Sequence, residues 1–159
     1  MYFVRRLWAR LFTRPKIVLL KNNSSIVSPL VYEEDGLYRI DFIFGTGGKS
    51  FREGEGRLTL GLYKEYSAKP LRQCHVDLSA VKDKESCSFI FEPLCNCASQ
   101  NLMVALSLHS DYFDDITIAV YCVKGADRES EHVTLGVKKV KVKPFFIVWT
   151  IPPAKGKER

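Results

Sequence analysis

From residue 26 onward, apolar side chains recur at every second position, and this period constrains the fold more than any other feature of the sequence. Tyr38, Ile40, Phe42 and Phe44 alternate with Arg39, Asp41 and Ile43. The same spacing returns in Leu58, Leu60 and Leu62, in Cys74, Val76 and Leu78, and in Phe89 and Phe91. It continues through Leu102, Val104, Leu106 and Leu108 and through Ile116, Ile118, Val120 and Cys122. Val133, Leu135 and Val137 lead towards Val140 and Val142, and Phe145 to Ile151 form a last apolar run. Successive side chains of a strand point to opposite faces, so each run is apolar on one side only. Gly45, Gly47, Gly48, Gly54, Gly56, Pro70 and Pro93 punctuate the runs as turn residues do. About eight strands follow, with no helical period between them. The pattern predicts an all-β, antiparallel β-sandwich, jelly-roll-like, with two sheets packed face to face.

Ahead of residue 26 the period is helical. Over residues 2–13, Phe3, Val4, Leu7, Trp8, Leu11 and Phe12 share one face, while Arg5, Arg6, Arg10 and Arg14 fall on the other. Pro15 ends this short N-terminal amphipathic helix, because proline disfavours helical backbone in the residue before it. Asn22 to Ser25 form a polar break that reads as a linker. The expected organisation is a basic amphipathic helix and linker at 1–25, a β-sandwich domain at 26–151 and a polar C-terminal tail at 152–159. A chain of 159 residues is one domain of ordinary size and needs neither disulfides nor metal to hold a core.

Charge is distributed unevenly. Residues 1–21 carry +6, residues 138–159 carry +6, and the stretch between carries −6. A protein that grips nucleic acid carries its positive charge on the folded face, so no nucleic-acid partner is expected. Basic ends point instead to an anionic membrane surface contacted through residues 1–21. Phe3, Leu7, Trp8, Leu11 and Phe12 would then enter the bilayer interface, with Arg5, Arg6 and Arg10 against anionic lipid. The other reading docks the same apolar face on the protein's own sandwich or on a partner. Five cysteines, an odd number, argue against a disulfide framework. No secretory signal and no membrane-spanning run is apparent. The expected location is cytoplasmic, peripheral at the inner membrane where the helix binds lipid.

Catalytic motifs are missing. His75, His109 and His132 sit in or beside strands without a nucleophile at fixed spacing, and no Gly-x-Ser-x-Gly occurs. Gly45-Thr46-Gly47-Gly48-Lys49-Ser50 lacks the spacing of a phosphate loop and no helical pattern follows it, so it reads as a turn. Cys95-Asn96-Cys97 is too closely spaced for a zinc knuckle. Asp111, Asp114 and Asp115 cluster in one loop and are the candidate ligands of a calcium ion; a solvated acidic loop is the alternative. Tyr63, Tyr66, Tyr112 and Trp149, near strand edges and loops, are the candidate sugar-stacking residues, since a ring face packs against sugar CH groups while polar neighbours fix the hydroxyls. Capping of the core is the other role open to each.

Residues 29–123 also resemble a bacterial β-sandwich domain that accompanies glycosyltransferases of surface-polysaccharide synthesis. The likeness lies in the order of short cues: Leu37-Tyr38-Arg39-Ile40-Asp41-Phe42, then Gly56-Arg57-Leu58-Thr59-Leu60-Gly61-Leu62-Tyr63, then Val76-Asp77-Leu78-Ser79-Ala80-Val81-Lys82-Asp83, then Ser88-Phe89-Ile90-Phe91-Glu92-Pro93-Leu94. Asn101 to Ser110 resembles the strand that follows. The resemblance implies a jelly-roll-like, carbohydrate-binding type of module without catalytic residues. The expected function is therefore a non-enzymatic module that binds glycan or a glycosyltransferase. The alternative is a scaffold whose helix or 138–151 strand region carries protein–protein contacts.

Overall fold

The computed structural model describes residues 16–32, 34–96, 98, 100–124, 133–135, 138–140, 142–144 and 146–151. The expected amphipathic helix and the polar tail both lie outside the described residues. Twelve strands are described: β1 (Lys16–Lys21), β2 (Ser24–Tyr32), β3 (Leu37–Gly45), β4 (Arg57–Lys64), β5 (Pro70–Asp77), β6 (Ser86–Leu94), β7 (Gln100–His109), β8 (Thr117–Lys124), β9 (Val133–Leu135), β10 (Lys138–Val140), β11 (Val142–Pro144) and β12 (Phe146–Thr150). A single 3-10 turn, Leu78–Ala80, follows β5.

Period-two alternation becomes two antiparallel sheets. In the first, β8 pairs with β1 on one edge and with β11 and β3 on the other, while β3 pairs with β6 on one edge and with β12 and β8 on the other. The pair β11 and β12 thus wedges between β8 and β3. The second sheet runs β10-β9-β2-β7-β4-β5. The inward rows of both sheets meet in one core. Leu58, Leu60, Leu62, Leu102, Val104, Leu106 and Leu108 come from the second sheet; Ile40, Phe42, Phe44, Phe89, Ile118 and Val120 come from the first. Phe42 is the hub of an aromatic cluster, its ring centroid 5.9 Å from Phe44, 5.7 Å from Phe89 and 5.6 Å from Phe146.

The boundary read at residue 25 moves. Ile17 to Leu20 belong to a strand of the sandwich, with Val18 and Leu20 in the core, and Asn22-Asn23 is the corner that carries the chain from the first sheet to the second. A six-residue strand with two inward positions is too short to show a period. Among the described residues the strand number is twelve against the expected eight or so, because β9 to β11 have only three residues each.

Chain order sets up the loops. The chain crosses between sheets at β1–β2, β3–β4, β5–β6 and β7–β8, and these four connections gather at one end. The register shows it: Arg57 lies opposite both His109 and Asp77, Ser24 opposite Leu108, and Lys21 opposite Thr117. At the opposite end Gly36 is confined by its surroundings. Its φ is +84°, and a Cβ there would lie 2.1 Å from the Ile151 carbonyl oxygen. No helix among the described residues is long and apolar enough to cross a membrane.

The thiols report the same burial. Cys74, Cys87 and Cys122 are free cysteines whose pKa values are pushed up by burial, to about 11, about 11 and about 12. A thiol with a pKa near 11 is about 0.1% thiolate at pH 8, and the thiolate is the nucleophile. Iodoacetamide at that pH is expected to label exposed Cys95 and to spare these three until denaturant is added, as peptide mass mapping will show.

Candidate functional site

The loop end is hydrogen-bonded into one rigid rim. Asn22, in the β1–β2 corner, donates from Nδ2 to the carbonyls of Ser110 (2.9 Å) and Phe113 (3.1 Å) and accepts from the Ser110 amide at Oδ1 (2.8 Å). Ser110 is buried. Its Oγ accepts from the amides of Tyr112 (3.2 Å) and Phe113 (3.1 Å) and donates to the Glu55 carbonyl in the β3–β4 loop. His109 is held between Asn23 Oδ1 at 2.7 Å and Asp111 Oδ1 at 3.0 Å. Gly56 lets the two loops close: a Cβ there would lie 2.6 Å from Leu78 Cδ1 and 2.9 Å from the His109 carbonyl oxygen.

The glycine-rich turn of the β3–β4 loop is closed to phosphate by the chain itself. Asp83 Oδ1 accepts from the amides of Thr46 (2.7 Å) and Gly47 (3.1 Å), the donors an anion would use. Asp77 does the same further along. The Ser79 hydroxyl and amide and the Gly54 amide hold its carboxyl below the ordinary carboxylate range.

Two concavities open on this rim. The smaller, about 260 Å³, lies between Gly54, Arg57, Asp77, His109 and Asp111. The larger, about 670 Å³, lies between the β3–β4 and β7–β8 loops. Phe51, Tyr112 and Phe113 give it apolar rings, and Lys49, Asp114 and Asp115 give it charge. Pockets for small ligands run to roughly 300–1,000 Å³ and pair apolar walls with a few placed polar groups. Tyr112 is 74% exposed and Phe113 is exposed too, so neither ring is spent on the core.

The four aromatics singled out in the sequence do not converge. Tyr112 alone stands at this cleft. Tyr63 folds back over Gly61 on the outer face of the second sheet, where a Cβ on Gly61 would lie 2.6 Å from the tyrosine ring. Tyr66 occupies the β4–β5 turn at the opposite end. Trp149 lies on β12, on the outer face of the first sheet. Its Nε1 donates to Asp41 Oδ2 at 2.8 Å, and the Arg39 guanidinium carbon sits 4.8 Å from its ring centroid. Arg39 also donates to Asp41 from Nε (2.7 Å) and Nη2 (2.9 Å). Burial raises the Asp41 pKa, but bonds from Arg39, Ser88 and Trp149 outweigh it and keep the carboxyl below its ordinary range.

Asp111, Asp114 and Asp115 share the rim. No group of three or more His, Cys, Asp or Glu side chains among the described residues is placed to hold a metal. Asp111 is engaged by His109, and Asp114 and Asp115 line the larger cleft. The membrane-contact set Phe3, Arg5, Arg6, Leu7, Trp8, Arg10, Leu11 and Phe12 lies outside the described residues. Sequence reasoning missed Asn22, Ser110, Phe51, Phe113 and Lys49. Ser110 before Asp-Tyr-Phe has the look of a turn former, a signal that was legible. Nothing in the sequence couples it to Asn22, 88 positions away.

No family model and no curated protein matches the chain. A solved structure described as TmCBM61 in complex with beta-1,4-galactotriose aligns with 85% of this chain and 70% of its own, at a TM-score of 0.41 and 10% sequence identity.

Proposed function

We propose that this chain is a non-catalytic carbohydrate-binding β-sandwich whose ligand lies in the larger cleft of the loop end. One observation carries the reading. Three rings, Phe51, Tyr112 and Phe113, stand beside Lys49, Asp114 and Asp115 around about 670 Å³, on loops pinned by Asn22 and Ser110. Rings supply stacking for a pyranose face, and the charged side chains supply acceptors and a donor for its hydroxyls. Rigid loops lower the ordering cost of binding. A narrower reading, a module serving a glycosyltransferase of surface-polysaccharide synthesis, rests on the sequence resemblance of residues 29–123. The alternative of a protein–protein scaffold draws on the exposed Ile17, Leu19, Ile90 and Trp149 of the first sheet.

The test is a glycan array of bacterial surface polysaccharides and their oligosaccharides, followed by calorimetric titration of any hit. Tyr112→Ala is expected to weaken binding about tenfold, the loss of roughly 1.4 kcal/mol of stacking. Unchanged affinity in Tyr112→Ala, or an array without a hit, overturns the reading.

A further inference from the structure

Four carboxylates line the two concavities of the loop end, and the chain treats them differently. Asp77 accepts from the amides of Gly54 (2.9 Å) and Ser79 (2.8 Å), and Asp111 faces the His109 ring at 3.0 Å. Both are engaged within the protein. Asp114 and Asp115 are not: among the described residues neither carboxylate has a hydrogen bond or an ion pair, and both residues are exposed. Lys49, on the β3–β4 wall of the same cleft, pairs with neither of them. The larger cleft therefore sets two uncompensated carboxylates against one ammonium. Their turn is anchored at both ends. The Phe113 carbonyl accepts from Asn22 Nδ2 at 3.1 Å and from the Ile116 amide at 3.4 Å, and Ile116 is buried in the core.

The volume and the rings of the cleft make it a site; the carboxylates decide which charge it prefers. Phe51, Tyr112 and Phe113 line the same space. The face of an aromatic ring is negative and attracts a cation. A carboxylate attracts the same cation and adds a charge-assisted hydrogen bond. Two separate features of one cleft thus favour positive charge, and both disfavour a carboxylate or phosphate on the ligand. We infer that the glycan taken by this cleft carries a free amine: a hexosamine whose ammonium meets the acid pair and the ring faces. The inference rests on the carbohydrate reading above and narrows it to a substrate class, amine-bearing sugars ahead of N-acetylated ones and these ahead of uronic acids. Stacking and ion pairing are then available to one pyranose at once, since the amine and the ring CH groups belong to the same unit.

The probes are glucosamine, galactosamine and mannosamine, each paired with its N-acetyl form, together with glucuronic and galacturonic acid. They are titrated into the full chain at a pH that keeps the amines charged, and the ring signals of Tyr112 and Phe113 are followed by NMR. The amine of a pair is expected to bind about tenfold more tightly than its N-acetyl form, the scale of two exposed ion pairs, with the uronic acids weakest. Added salt is expected to shrink the preference. Asp114→Asn with Asp115→Asn is expected to lower the affinity of the amine to about that of the N-acetyl form. Lys49→Gln keeps a donor and removes the opposing charge, so it is expected to widen the preference a few-fold. A gain of this kind does not come from a lost fold, so Lys49→Gln tests the charge even if the double variant misfolds. N-acetyl forms or uronic acids that bind as tightly as the amines overturn the inference and leave the carbohydrate reading standing. A silent panel beside a neutral or acidic polysaccharide hit on the array does the same, as does an amine-bearing hit whose binding survives chemical N-acetylation. A silent panel and a silent array together overturn both.

Discussion

Replacing Phe89 by alanine is expected to lower the unfolding free energy by about 4 kcal/mol, the usual cost of removing a buried aromatic ring and leaving a cavity. For a domain of this length that is roughly an 8–16 °C drop in melting temperature. The size of the effect comes from position. Phe89 is fully buried and meets two rings edge-on, Phe42 at 5.7 Å and 87° and Phe44 at 6.4 Å and 75°. Beyond the area removed from water, two edge-to-face contacts disappear. Close-packed neighbours on paired strands relax into the space only in part. The neighbouring substitution is the control. Ile90 points the other way on the same strand and is mostly exposed, so Ile90→Ala is expected to stay within about 0.5 kcal/mol of the parent. Thermal and urea unfolding followed by circular dichroism will separate the two.

Asn22→Ala is expected to cost about 2–3 kcal/mol and to weaken glycan binding at the same time. The side chain makes three hydrogen bonds to the β7–β8 loop, and alanine leaves the Ser110 amide and the carbonyls of Ser110 and Phe113 without that partner. Each net bond is worth about 1 kcal/mol, and a part-buried group stripped of its partner pays its desolvation as well. The loop that carries Tyr112 and Phe113 loses its main anchor to the β1–β2 corner, so the rings must be ordered by the ligand. Asn22→Asp keeps the acceptor for the Ser110 amide but sets a carboxylate oxygen against both carbonyls, and it is expected to destabilise at least as much as alanine. Urea unfolding measures the stability loss. Hydrogen exchange at the Ser110 amide, faster in Asn22→Ala, measures the loosening of the loop. An exchange rate equal to the parent's would remove Asn22 as the anchor.

The fold class was legible because alternation is a local property. Which of Phe42 and Ile43 faces the core is decided by neighbours one and two residues away, and the sequence carries that pattern unaided. The strands it showed plainly are those with three or four inward positions, such as β3, β4, β7 and β8. Strand β1 went unread because two inward residues beside a proline and two asparagines do not make a period. The site was less legible. Tyr112 stood out as an aromatic in an acidic loop, and it does line the cleft. Tyr63 and Tyr66 stood out for the same reason, yet one folds over Gly61 and the other occupies the far turn. Residue type alone does not distinguish these three outcomes.

By itself the sequence determined the strand period, the turn residues between runs, the division of charge between body and ends, and the helical period before Pro15. Each of these is written within a few neighbouring residues. Tertiary structure decided which strands share a sheet, which loops meet, and where a polar side chain finds its partner. Asn22 meets Ser110 across 88 positions, and Trp149 meets Asp41 across 108. Such pairs arise only when two sheets pack and bring distant strand ends to one rim, because the energy that joins them belongs to the buried core and not to either segment.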